Sequence, residues 1–127
     1  MASAPDRRVA RLLAAYEACE LSDLARSAVT TGGSLLDDAA QVLRAALRYA
    51  EAAAAAARVE GAGWDDIGAA LGMAPERARE RFAAAEERLR AAADPDPVAG
   101  GWWRHHARRD PDELAADLAD WVRRNPS

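Results

Sequence analysis

Apolar positions along this chain recur at steps of three and four almost throughout, the spacing that lines side chains along one side of an α-helix. Val9, Leu12, Leu13 and Tyr16 make the first such face, with Arg7, Arg8 and Arg11 around it, in a helix expected to begin at Pro5. The stripe slips near Glu20 and resumes at Leu21, Leu24, Ala25 and Ala28. The spacing therefore allows one bent helix, or two shorter ones with Ser22 capping the second. Thr30 to Gly33 ends this stretch, because paired glycines accept the left-handed conformation of a helix terminus. Ser34 followed by Asp37 is a capping-box variant and opens a helix predicted to reach about Glu60. Its stripe runs Leu36, Ala39, Leu43, Leu47, Ala50, Ala54 and Ala57, narrowing to alanine where another backbone can come close.

Gly61 stops that helix, and the most informative stretch follows, from Gly63 to Phe82: G-W-D-D-I-G-A-A-L-G-M-A-P-E-R-A-R-E-R-F. Trp64, Ile67 and Leu71 fall on one side of a short helix that Gly72 terminates. Pro75 brings a fixed φ suited to the first position of a second helix. In that second helix Ala78, Phe82, Ala85 and Leu89 share a face, and the helix should continue to about Ala93. Gly68 offers no side chain at a point where two helices could approach closely. A short helix, a tight glycine turn and a longer helix is the layout of a helix-turn-helix.

Beyond it, Asp94 to Gly101 reads D-P-D-P-V-A-G-G, a loop by composition. The segment W-W-R-H-H-A-R-R from Trp102 to Arg109 carries no periodicity that assigns it to an element. Asp110, Pro111 and Glu113 supply a cap, a first-turn proline and an acidic partner for a last helix. Leu114, Leu118, Trp121 and Val122 form its apolar face, Arg123 and Arg124 suit its negative end, and Asn125-Pro126 halts it. Nothing reads as a strand. The expected fold is all-α, a bundle of about five or six helices. Residues 5–93 make a helical domain with the helix-turn-helix at 63–82, residues 94–110 a linker or loop, and residues 111–124 a C-terminal helix packing on the same domain.

Composition narrows the function more than the fold. At 127 residues the chain suits one domain with a modest core. Half of its residues are hydrophobic, but few are aromatic and many are alanine, which favours helices in close contact over a thick core. Every basic side chain is arginine, a pattern that reads first as mutational bias. The net charge is −4 and the pI about 5.2, whereas a free-standing nucleic-acid binder more often carries a basic excess. The lone Cys19 excludes an internal disulfide and reads as a small core residue. The apolar residues after the N-terminal arginines are interrupted by charge, so no signal peptide is expected. The run Ala52 to Ala57 is too short to span a bilayer, so no membrane association is expected and a cytoplasmic location is the default.

Catalytic and cofactor signals are weak. Asp37-Asp38 and Asp65-Asp66 are paired carboxylates, but each pair lies in a helix's first turn, where dipole and capping effects explain it. Gly61, Gly63 and Gly68 lack the spacing of a dinucleotide loop and follow a helix, not a strand. His105 and His106 are adjacent, so their rings point apart, and no cysteine or carboxylate converges on them to hold a metal. No enzyme activity, cofactor or metal is expected. Trp64 and Trp121 belong to core faces. For Trp102 and Trp103 a core role leads, with exposure of one as a partner contact the alternative.

The stretch around Gly63–Phe82 resembles the helix-turn-helix of small actinobacterial DNA-binding proteins, itself similar to region 4 of alternative sigma factors. Their motif runs roughly G-x-S-W-x-x-I-G-x-A-L-G-V-S-R-Q-A-x-x-x-R-F. Gly61, Gly63, Trp64, Ile67, Gly68, Ala70, Leu71, Gly72, Ala78, Arg81 and Phe82 fit it or lie within its tolerance. The strong match spans about twenty residues, and three departures fall in the turn and the second helix: Ala74 stands for serine, Pro75 for arginine and Glu76 for glutamine. The resemblance implies a transcriptional regulator binding double-stranded DNA, with a homodimer plausible because twofold symmetry doubles the contacts of a single motif. Its DNA-binding residues would be Pro75, Glu76, Arg77, Arg79, Glu80 and Arg81, held rigid by Trp64, Ile67, Leu71 and Phe82. At 100° per residue the outward face of the second helix centres on Glu76, Glu80, Ala83 and Glu87, with Arg77, Arg81 and Arg88 on one flank and Arg79 and Arg90 on the other. An acidic centre with basic edges also suits a protein partner, met through the Glu76/Glu80 face or through Trp102 and Trp103.

Overall fold

The computed structural model describes residues 4–30, 32–91 and 111–124, and among them five helices and no strand. They are α1 (Ala4–Thr30), α2 (Leu35–Val59), α3 (Trp64–Leu71), α4 (Pro75–Ala91) and α5 (Pro111–Arg124). The fold is all-α. The expected linker 94–110, with Trp102, Trp103, His105, His106 and the cap Asp110, lies outside the described residues. So do Ala92, Ala93 and the Asn125-Pro126 stop.

Helices α1 and α2 pair along their lengths as an antiparallel hairpin roughly 40 Å long at ~1.5 Å per residue. Helix α1 is one unbroken helix, so Ser22 caps nothing. No glycine lies between Ala4 and Thr30 and no proline follows the first turn, and a slipped apolar stripe alone does not break a helix whose partner runs beside it. The start of α2 is as its sequence predicts: Ser34 Oγ accepts a hydrogen bond from the Asp37 backbone N–H at 3.3 Å. At its other end the Gly61 N–H donates to the Arg58 carbonyl and the Ala62 N–H to the Ala57 carbonyl. With Gly61 at φ 102°, this is the paired-bond glycine terminus that frees α3 to leave at an angle.

Alanine makes the contacts tight and thin. Two small clusters hold the body together. In one, Ala54 of α2 meets Ile67 of α3 and Ala78 and Phe82 of α4, with Trp64 and Met73 at the margin. In the other, Val9 and Leu13 of α1 meet Leu89 of α4 and Leu118 of α5. Ion pairs between arginine and glutamate or aspartate bridge the same helices. Arg11 holds Glu60 across α1 and α2, Arg48 lies 3.6 Å from the buried Glu17, and Arg8 reaches Asp112 of α5 at 2.5 Å. On α5, Leu118 and Trp121 are half-buried while Val122 is exposed.

One expected core face is only half covered. The α2 stripe is buried at Ala54, but Leu43 and Leu36 are exposed. Helices α3 and α4 pack only on the C-terminal half of α2, because α4 crosses toward the N-terminal end of α1 instead of following α2 outward. Among the described residues, the outer part of the hairpin is covered by no third helix.

Candidate functional site

The site begins with the chain reversal between α3 and α4. The Gly63 N–H donates to the Asp66 carboxylate at 3.0 Å, fixing the first turn of α3. Gly72 ends α3 at φ 72°, and the Met73 N–H returns to the Gly68 carbonyl at 2.9 Å. That bond draws the turn onto Gly68, where a β-carbon would stand 2.5 Å from the Met73 carbonyl oxygen. Gly68 is therefore small because of the turn's own backbone, not because of a second helix. Ala74 accepts the first helical bond of α4 from the Ala78 N–H at 3.0 Å, so it occupies the cap position without a side chain to cap with.

Helix α4 buries the face its spacing assigns. Ala78, Phe82 and Ala85 are buried and Leu89 half-buried. Ile67 is buried beneath them, and half-buried Trp64 carries the Arg58 guanidinium 4.6 Å from its ring centroid. Leu71 departs from expectation, being 44% exposed. It is the last residue of α3, and the chain reverses at Gly72 before a neighbour covers it. Met73, from the turn, packs on the cluster in its stead.

All six residues assigned to DNA contact, Pro75, Glu76, Arg77, Arg79, Glu80 and Arg81, are exposed in the first two turns of α4. They are not equivalent. Arg77 and Arg79 form no ion pair among the described residues. Arg81 turns back toward α2, 3.4 Å from Glu51, and Arg88 reaches the same carboxylate at 3.6 Å. On the other flank Arg90 holds Glu86 at 2.8 Å, and Glu86 also receives Arg58 at 3.1 Å. Burial pushes the Glu86 carboxyl up, but hydrogen bonds and charge from Arg90 and Arg58 outweigh it and hold the group below its ordinary value. Glu76, Glu80 and Glu87 line the outer face, with Asp65 and Asp66 exposed on α3.

Glu51 and Glu86 are the residues that sequence reasoning missed. Glu51 is the one charged side chain between Arg48 and Arg58, an interruption of an alanine run that marks it as more than solvated surface. Glu86 stands four residues before Arg90, a spacing that brings the two side chains together on a helix.

A groove of about 350 Å³ lies between α1 and α2, walled largely by alanine, with the Arg11–Glu60 pair at its edge. Tyr49 is the one other polar side chain among the described residues that line it. No helix among the described residues is long and apolar enough to cross a membrane. No protein-family model, curated protein or solved structure matches the chain.

Proposed function

We propose that this chain is a cytoplasmic DNA-binding transcriptional regulator whose α3 and α4 form a helix-turn-helix, with α4 as the recognition helix. One observation carries this reading: the first two turns of α4 stand exposed with Arg77 and Arg79 unpaired among the described residues. In a major groove those two guanidinium groups would meet phosphates or guanine edges, and Glu76 and Glu80 could accept from cytosine N4. Trp64, Ile67 and Phe82 keep α4 rigid against α2, as a reader of base edges requires.

A second reading has its own support. Glu51 occupies Arg81 and Arg88, so the outer surface of α3 and α4 carries Asp65, Asp66, Glu76, Glu80 and Glu87 against Arg77 and Arg79, the two arginines there without an ion pair among the described residues. Such a surface suits a basic protein partner, with the helix-turn-helix fold kept and DNA readout lost.

Fluorescence-anisotropy titration against random and own-promoter duplexes at several salt concentrations separates the two. A DNA reader binds with steep salt dependence and prefers one duplex. Replacing Arg77 and Arg79 by alanine then lowers affinity and reduces the salt slope by about one for each phosphate that is no longer neutralised. Replacing Glu76 and Glu80 by glutamine strengthens non-specific binding. No binding even at low salt sinks the DNA reading and leaves the protein-partner one.

A further inference from the structure

The apolar stripe of α2 outlasts the helices that cover it. Leu36, Leu43, Ala50 and Ala57 stand seven residues apart, and Ala40, Leu47 and Ala54 fill the intervening steps of four and three. This is the strict two-position heptad of a coiled-coil seam, narrower than the face of an ordinary surface helix. Ala40 is half-buried, but the leucines of the seam stand out, 83% exposed at Leu36, 61% at Leu43 and 38% at Leu47, before Ala54 disappears beneath Ile67 and Phe82. The leucines do not face α1. Ala45, fully buried in the hairpin, lies about 180° around α2 from Leu36 at ~100° per residue.

The charges beside the seam identify what fits it. Asp37 and Arg44 occupy successive positions on one edge, both exposed and without an ion pair among the described residues. The opposite edge is Ala39 and Ala46, which admit close approach. We propose that this seam is a self-association surface, on which a second copy of the chain lays its own α2 antiparallel. In the register that pairs seam positions, Leu36 packs on Leu47 of the partner subunit and Ala40 on Leu43 of the partner subunit. That same register sets Asp37 beside Arg44 of the partner subunit, and twofold symmetry repeats the pair. A parallel arrangement would place each arginine beside an alanine and form no ion pair. The seam is short, about 16 Å from Leu36 to Leu47, because α3 and α4 close it beyond that point. Such an interface is below standard size, the class of weak and transient association. This surface is separate from the outer face of α4, so the dimer holds whether or not α4 meets DNA.

Sedimentation equilibrium of the full chain over about 1 to 300 µM tests it, through the concentration dependence that mass action imposes on a weak dimer. A monomer–dimer equilibrium is expected. Leu43→Glu should raise its Kd at least about tenfold, by burying a charge without a partner. Far-UV circular dichroism should stay unchanged, since Leu43 is already exposed in the monomer. Arg44→Asp alone and Asp37→Arg alone should each weaken the dimer several-fold by setting like charges together. The double swap D37R/R44D should restore it. A chain that stays monomeric throughout overturns the proposal, whether the seam then takes another protein or a further segment of this chain. A dimer indifferent to Leu43→Glu, or a double swap no tighter than the single ones, overturns it equally.

Discussion

A β-carbon on Gly68 would stand 2.5 Å from the Met73 carbonyl oxygen and 3.3 Å from the Ala74 carbonyl carbon, both backbone atoms of the turn. Neither can swing aside as the end of a flexible side chain would. Gly68→Ala should therefore cost about 1–3 kcal/mol in urea unfolding by forcing the turn off α3. Gly72 is constrained differently: nothing crowds it, and only its φ of 72° resists a side chain. Gly72→Ala should cost about 1–2 kcal/mol, the left-handed penalty alone. Glu86 adds a pH dependence. Its folded value lies below the ordinary 4.5, because Arg90 and Arg58 outweigh burial. Its stabilising contribution is therefore present above pH 4.5 and is lost as pH falls through the lower folded value. Thermal unfolding of Glu86→Gln across the acid range should show a shallower loss of stability than the parent chain. An equal slope in the two proteins would show that the Arg58–Glu86–Arg90 contacts carry no linkage.

At the scale of the element, α4 starts without a side-chain cap. Ala74 accepts the first helical bond but returns none, so Ala74→Ser should stabilise the protein by about 1 kcal/mol in denaturant unfolding. The flank of the same helix is governed from α2. Glu51→Gln releases Arg81 and Arg88 and, if α4 is the DNA reader, should tighten non-specific binding and steepen its salt dependence. Anisotropy at two salt concentrations checks this, and unchanged binding would place those arginines outside the footprint. Helix existence and order were legible in the sequence, because caps, glycines and a 3.6-residue period are local signals. The stop at Gly61, the cap at Ser34 and the buried face Ala78–Phe82–Ala85 all came from such signals. What periodicity could not supply is the extent of a neighbour. Leu36 and Ala54 lie on one stripe, yet only Ala54 is covered, because α4 crosses α2 and moves to α1. Leu71 is exposed for the same kind of reason, the chain turning before its face is met. Arg81 read as a free flank because its partner Glu51 lies thirty residues away on another helix.

At the scale of the molecule, stability is distributed unevenly along the hairpin. Its inner half is held by both clusters and by ion pairs to α4 and α5. Among the described residues its outer half has only its own helix–helix contact, with Leu21, Leu24 and Ala28 half-buried on α1 and Val42 half-buried and Ala45 buried on α2. Two helices without a third neighbour open locally well below the free energy of global unfolding. Amide hydrogens from about residue 40 to 47 should therefore exchange faster in dilute protein than those from 54 to 59, although both belong to one helix. If Leu36, Leu43 and Leu47 meet a second copy, exchange in the outer segment must slow as concentration rises, and the inner segment must be nearly indifferent. Leu43→Glu removes the seam without touching the hairpin's inner contacts, so it should abolish the concentration dependence and leave the exchange of dilute protein where it was. Hydrogen exchange at two concentrations in the two proteins thus separates a hairpin that is merely loose at its tip from one whose tip is completed by association. A concentration effect spread evenly over α2 would reject the proposed seam, and equal exchange of the two segments in dilute protein would reject the local instability.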